Sequence, residues 1–234
     1  MKRLRLTVVL AAVLVSTGAL AHQSEESVEE MVQGLWAYTT IQSGGQDQTP
    51  IVGLFLFQDG HFVQQAIGGA GPLEDQVGQA HAGSYRVDGD ALKLFADLGL
   101  VVFPDAEKPL AENREGQHDL VVERSGDELT VTFGTSTIQK FKRLDDGSAQ
   151  IVNLDHGYLA LTDDHFIFVA TPEGEAVAGS GTFERDGDSV RLTAERWFSV
   201  KGDDVSYKQD HSVEASFDGQ TFSIKNGPSF KVKK

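Results

Sequence analysis

Gly83-Ser-Tyr-Arg-Val-Asp-Gly-Asp-Ala-Leu-Lys-Leu94 returns later in the chain as Gly181-Thr-Phe-Glu-Arg-Asp-Gly-Asp-Ser-Val-Arg-Leu192. Each copy sets Asp-Gly-Asp between alternating apolar and polar positions. Glycine and aspartate tolerate the positive φ of a two-residue hairpin turn, so each copy reads as two strands joined tightly. Three further matches keep the same order. The stretch from Gly53 to Val63, with Asp59, His61 and Phe62, parallels Gly157 to Ile167, with Asp163, His165 and Phe166. Asp119, Val122, Glu123, Asp127 and Thr130 parallel Asp210, Val213, Glu214, Asp218 and Thr221, and Phe141-Lys142 parallels Phe230-Lys231. Four matches in one order indicate an internal duplication.

The first copy carries extra residues at 68–80, rich in glycine, and at 104–116, which are polar. The other turns are tight in both copies: Asp59-Gly60 and Asp163-Asp164, Gly89 and Gly187, Gly126 and Gly219. Tight turns therefore alternate with longer loops. In an up-and-down meander alternate connections share an end, so one end is closed and the other is ringed by loops, as in a cup. The expected fold is all-β: antiparallel meander barrels in two tandem repeats, residues 34–145 and 146–234. The second repeat lacks a clear first strand and is expected to borrow one from residues 150–154. Two small barrels and one shared barrel or sandwich both fit this pattern.

Ahead of the repeats, Lys2, Arg3 and Arg5 precede an apolar run from Leu6 to Val15 and then Ala19-Leu20-Ala21. That order reads as a secretory signal peptide over residues 1–21, its apolar run too short to span a bilayer. A short helix is expected over residues 22–33, with Ser24 as its cap and acidic residues in its first turns. Of 234 residues, 40% are hydrophobic and 24% charged, enough to bury a core. No cysteine is present, which excludes disulfides, thiolate catalysis and cysteine-ligated zinc. Lys and Arg number 20 against 35 Asp and Glu, a net charge of −15. Both nucleic acid and anionic membrane surfaces need the opposite sign. Without the first 21 residues the chain is more acidic still, periplasmic or secreted, and without a transmembrane segment. The strands read as shorter than the roughly 9–11 residues that cross a membrane in a barrel, and the sequence ends Lys-Val-Lys-Lys, so an outer-membrane barrel is not expected.

Gly34-Leu35-Trp36 after a short helix, then the meander, then Arg143 near the end of the first repeat, resembles the lipocalin-like (calycin) barrels. The resemblance implies that Trp36 and Arg143 pack together at the closed end and that the open end admits an apolar ligand. It covers residues 34–144, and 150–234 more loosely. The T-D-Y element of true lipocalins is missing, and the second repeat has no G-x-W.

Motifs for zincins, P-loops, nucleophile elbows and EF-hands are absent from the sequence, and the Asp-Gly-Asp turns lack the further carboxylates that calcium needs. No cofactor or metal is implied. His61 and His165 fall at turns, on the more polar face. Pairing Val200 with Val205 sets Leu192, Ala194, Arg196, Phe198 and Val200 on one face against Val213, His211, Gln209, Tyr207 and Val205. That face is expected to point into the barrel, although a one-residue slip would turn it outward. Inward, Arg196 is a charge among apolar neighbours, where the first repeat has Leu98, and such a charge is costly unless paired. Arg196, Phe198, Tyr207, Gln209 and His211 are therefore the candidate ligand-binding residues. Trp197 is expected on the outer face or between the repeats.

The leading expectation is an exported barrel that binds a small apolar or amphiphilic molecule, with Arg196 meeting any anionic group. Two other readings are an isomerase- or cyclase-like enzyme using His211 and Arg196, and a structural module whose barrels are filled by side chains. If the leader is cleaved after Ala21, N-terminal sequencing of the mature protein will begin at His22; a chain that retains Met1 contradicts export.

Overall fold

Alternating apolar runs punctuated by Asp-Gly turns build the chain as strands. In the computed structural model, residues 26–47, 49–145 and 149–233 are described. The strands of the first repeat are β1 (Gly34–Ser43), β2 (Gln46–Asp47), β3 (Ile51–Gln58), β4 (His61–Gly68), β5 (Val77–Asp88), β6 (Ala91–Val102), β7 (Leu110–Asn113), β8 (Gly116–Ser125), β9 (Glu128–Phe133) and β10 (Thr137–Asp145). Those of the second are β11 (Gln150–Leu154), β12 (Gly157–Leu161), β13 (His165–Ala170), β14 (Glu175–Asp186), β15 (Ser189–Lys201), β16 (Asp204–Phe217), β17 (Thr221–Ile224) and β18 (Ser229–Lys231).

Two antiparallel barrels result. In the first, β1, β3, β4, β5, β6, β8, β9 and β10 follow one another and β10 pairs back onto β1, closing an eight-stranded barrel. The short strands β2 and β7 hang from β1 and β6. In the second, β11 to β18 run in sequence order, with β11 supplying the first strand. This barrel is nearly closed: Leu154 bridges Val232, and Lys233 N donates to Asn153 O at 2.8 Å. Two barrels, not one shared barrel or sandwich, are present. Eight antiparallel strands closed on themselves are the architecture of calycin barrels.

The turns follow the glycines and aspartates. Gln58 pairs with His61 around Asp59 and Gly60, whose φ values are 49° and 75°. Asp88 pairs with Ala91, and Asp186 with Ser189, each around a positive-φ glycine. Phe57 faces Phe62, and Leu161 faces Phe166, in equivalent register.

A bulge in each barrel decides which way the long strands face. Gly83 pairs with Ala96 and Ala82 with Leu98, so Asp97 is the extra residue of β6; Gly181 pairs with Ala194 and Ser180 with Arg196, so Glu195 is the extra residue of β15. Before its bulge β6 sends Leu92, Leu94 and Ala96 into the first barrel; after it, Leu98, Leu100 and Val102 join a different cluster. An extra residue shifts the period-2 alternation by one and exchanges the faces. The same step makes these strands longer than the sequence pattern suggests, 12 residues for β6 and 13 for β15. Their exposed neighbours are polar all the same: β8 and β16 carry Asp119, Glu123, Lys208, Asp210 and Glu214 outward. Among the described residues no helix is long and apolar enough to cross a membrane.

Three clusters fill the molecule. One lies inside the first barrel around Trp36, Phe55, Phe57, Phe62 and Phe141. Another lies inside the second around Phe166, Phe168, Trp197, Phe222 and Phe230. The third joins the barrels: Leu54, Leu56, Val63, Ile67 and Leu98 on one side meet Tyr158, Ile167, Val169, Phe198 and Val200 on the other. Polar contacts also join the barrels: Ser180 Oγ donates to Gln65 Oε1 at 2.6 Å, Tyr158 Oη to Asp97 Oδ2 at 2.7 Å, and Arg114 Nη2 to Thr171 Oγ1 at 2.7 Å.

Helix α1 (Val28–Val32) seals one end of the first barrel. Its cap is Ser27, in a reciprocal capping box with Glu30, and not Ser24, which lies outside the described residues together with the leader. Val28 and Val32 join the core, and Val32 O accepts from Trp36 Nε1 at 2.7 Å. The Arg143 guanidinium lies 4.6 Å from the centre of the Trp36 ring and Nη2 donates to Gln33 O at 3.0 Å. Trp36 and Arg143 thus meet as the resemblance implied.

Phe62 and Phe166 are each 1% exposed at equivalent places in their barrels. Replacing either by Ala is expected to cost ~3–5 kcal/mol, the usual range for a buried aromatic, in chemical denaturation. One neutral and one severe result would show that the barrels are not built alike.

Candidate functional site

The interior of each barrel can be followed row by row across three neighbouring strands. In the first, Gln64 pairs with His81 and His81 with Gly99. In the second, Phe168 pairs with Gly179 and Gly179 with Trp197. The bulky group has changed strands: a Cβ on Gly99 would come within 2.9 Å of the His81 ring, and one on Gly179 within 2.2 Å of the Trp197 ring. Phe168 and Trp197 stack at 5.9 Å, so this level of the second barrel is apolar and filled. The first barrel has a glutamine and a histidine there instead.

These two belong to a polar tier. Tyr38 Oη donates to Gln64 Oε1 and lies 3.3 Å from Gln139 Oε1, and Gln64 Nε2 meets His81 Nδ1 at 2.8 Å. Gln64 and Gln139 are buried. Burial holds the Tyr38 hydroxyl far above its ordinary value, so it stays a donor. Burial first, and the nearby His118 second, push His81 down from 6.5 to about 4, which keeps the imidazole neutral.

One row nearer the mouth, Ala66, Gln79 and Val101 stand abreast; the second barrel has Ala170, Val177 and Ser199 there. Above the tier a cavity of about 330 Å³ opens between the strand ends of β1, β3, β4, β5, β6 and β10. Ile41, Ile51, Val77 and Val101 make its walls apolar, while Gln79 and Gln139 place amides on it. Phe103, 45% exposed, stands at the rim. The helix, Trp36 and Arg143 close the far end, and the insertions at 68–80 and 104–116 flank the mouth. Gln79 Nε2 is buried and, among the described residues, has no hydrogen-bond partner.

The residues singled out in the second repeat do not share one cavity. The pairings Val200–Val205, Phe198–Tyr207 and Arg196–Gln209 are as expected, but the bulge at Glu195 turns that face outward. Phe198 and Tyr207 pack in the seam between the barrels, with the Phe198 ring against Gly78. Arg196 is half-buried on the same outer face, and Nη1 donates to Glu195 O at 2.9 Å. Gln209 is exposed. His211, past the left-handed Asp210, sits beside the Trp197 ring with Lys208 Nζ 3.4 Å from Nε2; desolvation, then Lys208, lowers its pKa. Its polar neighbour is a lysine, not the carboxylate an acid–base pair would need. Trp197, expected outside or between the repeats, lies inside the second barrel. His61 is exposed at its turn, and His165 contacts Asp164.

A scan against protein-family models finds no match for this chain, and no curated protein matches it.

Unfolded, an imidazole titrates near 6.5; folded, His81 titrates at about 4. The folded state therefore binds fewer protons between these values, and His81's share of stability, complete above 6.5, falls as the pH drops toward 4. An NMR titration is expected to place the His81 midpoint at about 4; a midpoint near 6.5 would mean that water floods the polar tier.

Proposed function

We propose that the chain is an exported binding module of lipocalin-like build whose first barrel holds a small, partly apolar molecule in its open end. One observation carries this reading: a cavity of about 330 Å³ rests on a hydrogen-bonded polar tier in the first barrel, at the level where Phe168 and Trp197 fill the second. A scaffold that folds with an aromatic stack at this level does not need buried glutamines there, and these are tolerated because they are hydrogen-bonded to their neighbours. An apolar cavity with a few convergent polar groups is what small-molecule sites have in common. The Trp36–Arg143 contact and the eight-stranded closure support the lipocalin-like assignment. Export rests on Lys2, Arg3, Arg5 and the apolar run after them.

The test is fluorescence titration with Prodan, a compact naphthyl ketone. Val77→Trp, on the half-buried rim, is expected to fill the mouth and weaken binding by about tenfold or more, a difference of ~1.4 kcal/mol. Arg196→Leu, on the outer face of the other barrel, is expected to bind as wild type. Unchanged binding by the Val77 variant removes the site from this cavity, and loss of binding on Arg196→Leu moves it to the second repeat.

A further inference from the structure

We propose that the bound molecule is uncharged and carries a hydrogen-bond acceptor, such as a ketone, ester or amide carbonyl, which the Gln79 side chain receives. This rests on the reading of the first barrel's open end as the binding site.

Among the described residues, no side chain lining the cavity is ionisable. An anion entering it would leave water for walls of Ile41, Ile51, Val77 and Val101 with no cation to meet it, inside a protein of net charge −15. A cation would find no carboxylate among the described lining residues either. Burial of an unpaired charge is strongly unfavourable, so the cavity selects a neutral body.

Within that apolar wall one donor is unspent. Gln79 lines the cavity, and its Nε2 is buried with no partner among the described residues. A turn of the terminal amide about its soft last torsion brings this donor to the cavity surface, where an acceptor gives it a hydrogen bond without displacing another. The second barrel has Val177 at the matching place in its row, between Ala170 and Ser199, so the fold itself makes no demand for an amide there. The volume, at the low end of small-molecule pockets, limits the ligand to about the size of one or two fused rings.

Three probes on one ring system separate the possibilities: neutral Prodan, the same dimethylaminonaphthalene ring without its ketone, and the anion dimethylaminonaphthalene sulfonate, with the sulfonate on the same ring. Prodan is expected to saturate a site that Val77→Trp blocks, with the sulfonate at least about tenfold weaker there. Gln79→Leu keeps the volume and removes the donor. It is expected to weaken Prodan about 3- to 10-fold, the reach of one neutral hydrogen bond, and to leave the ketone-free ring unchanged. Because it also removes a buried unpaired donor, its melting temperature should be kept or raised. Tighter binding of the sulfonate at a Val77-dependent site would overturn the neutral class while leaving the cavity reading intact. Equal Prodan affinity in wild type and Gln79→Leu would overturn the role of Gln79. Failure of all three probes to bind would bring down the cavity reading itself.

Discussion

Each barrel depends on one strand that changes sides. At Gly83 and Gly181 the neighbouring strand comes so near that a Cβ would lie 2.0 Å from Phe95 O and 2.2 Å from Thr193 O. Only glycine fits beside such a step, and next to it Asp97 and Glu195 are squeezed out of register. Before the bulge the strand builds a barrel interior; after it, the strand builds the seam against the other barrel. Leu98, Leu100 and Val102 in one repeat, and Phe198 and Val200 in the other, would be exposed apolar rows without this partner surface. The bulges therefore make two barrels into one molecule.

Given two scaffolds with matching strands and bulges, the differences between them carry the information about function. Gln64, Gln79 and His81 replace Phe168, Val177 and Gly179, and Gly99 replaces Trp197. The net result is one barrel plugged by a Phe–Trp stack and one left open above a polar floor. Polar residues at positions where a working alternative is apolar have no packing reason to be there. Their hydrogen bonds to one another hold the floor rigid.

Much of this was legible from the residues alone. The Asp59-Gly60 turn gave the pairing of Phe57 with Phe62, a turn over residues 201–204 gave that of Val200 with Val205, and the loop lengths gave the cup. The bulge was not legible, because Leu94-Phe-Ala-Asp-Leu98 and Leu192-Thr-Ala-Glu-Arg196 keep a plausible period of two straight through it. That one unseen residue put Arg196 and Phe198 on the wrong side and Trp197 outside. The cavity was missed for a different reason: its lining comes from six strands, each contributing one or two residues. A signal was nonetheless present. Gln64-Gln65 interrupts an apolar strand whose counterpart reads Phe168-Val169, and both glutamines are buried, one under the cavity and one in the seam.

The closure of the first barrel has a consequence for how the chain matures. Its first strand pairs with its last, Trp36 against Arg143, so a meander growing from the N-terminus stays an open sheet until the tenth strand exists. Closure then still leaves Leu54, Leu56 and Val63 bare until Tyr158, Ile167 and Phe198 arrive. Contacts between such distant parts of a chain form slowly, and apolar surface awaiting its partner is where nascent chains associate wrongly. The leading half is thus an orphan during synthesis, made safe only by the trailing half. An abundance of acidic side chains, by mutual repulsion between copies, protects the interval.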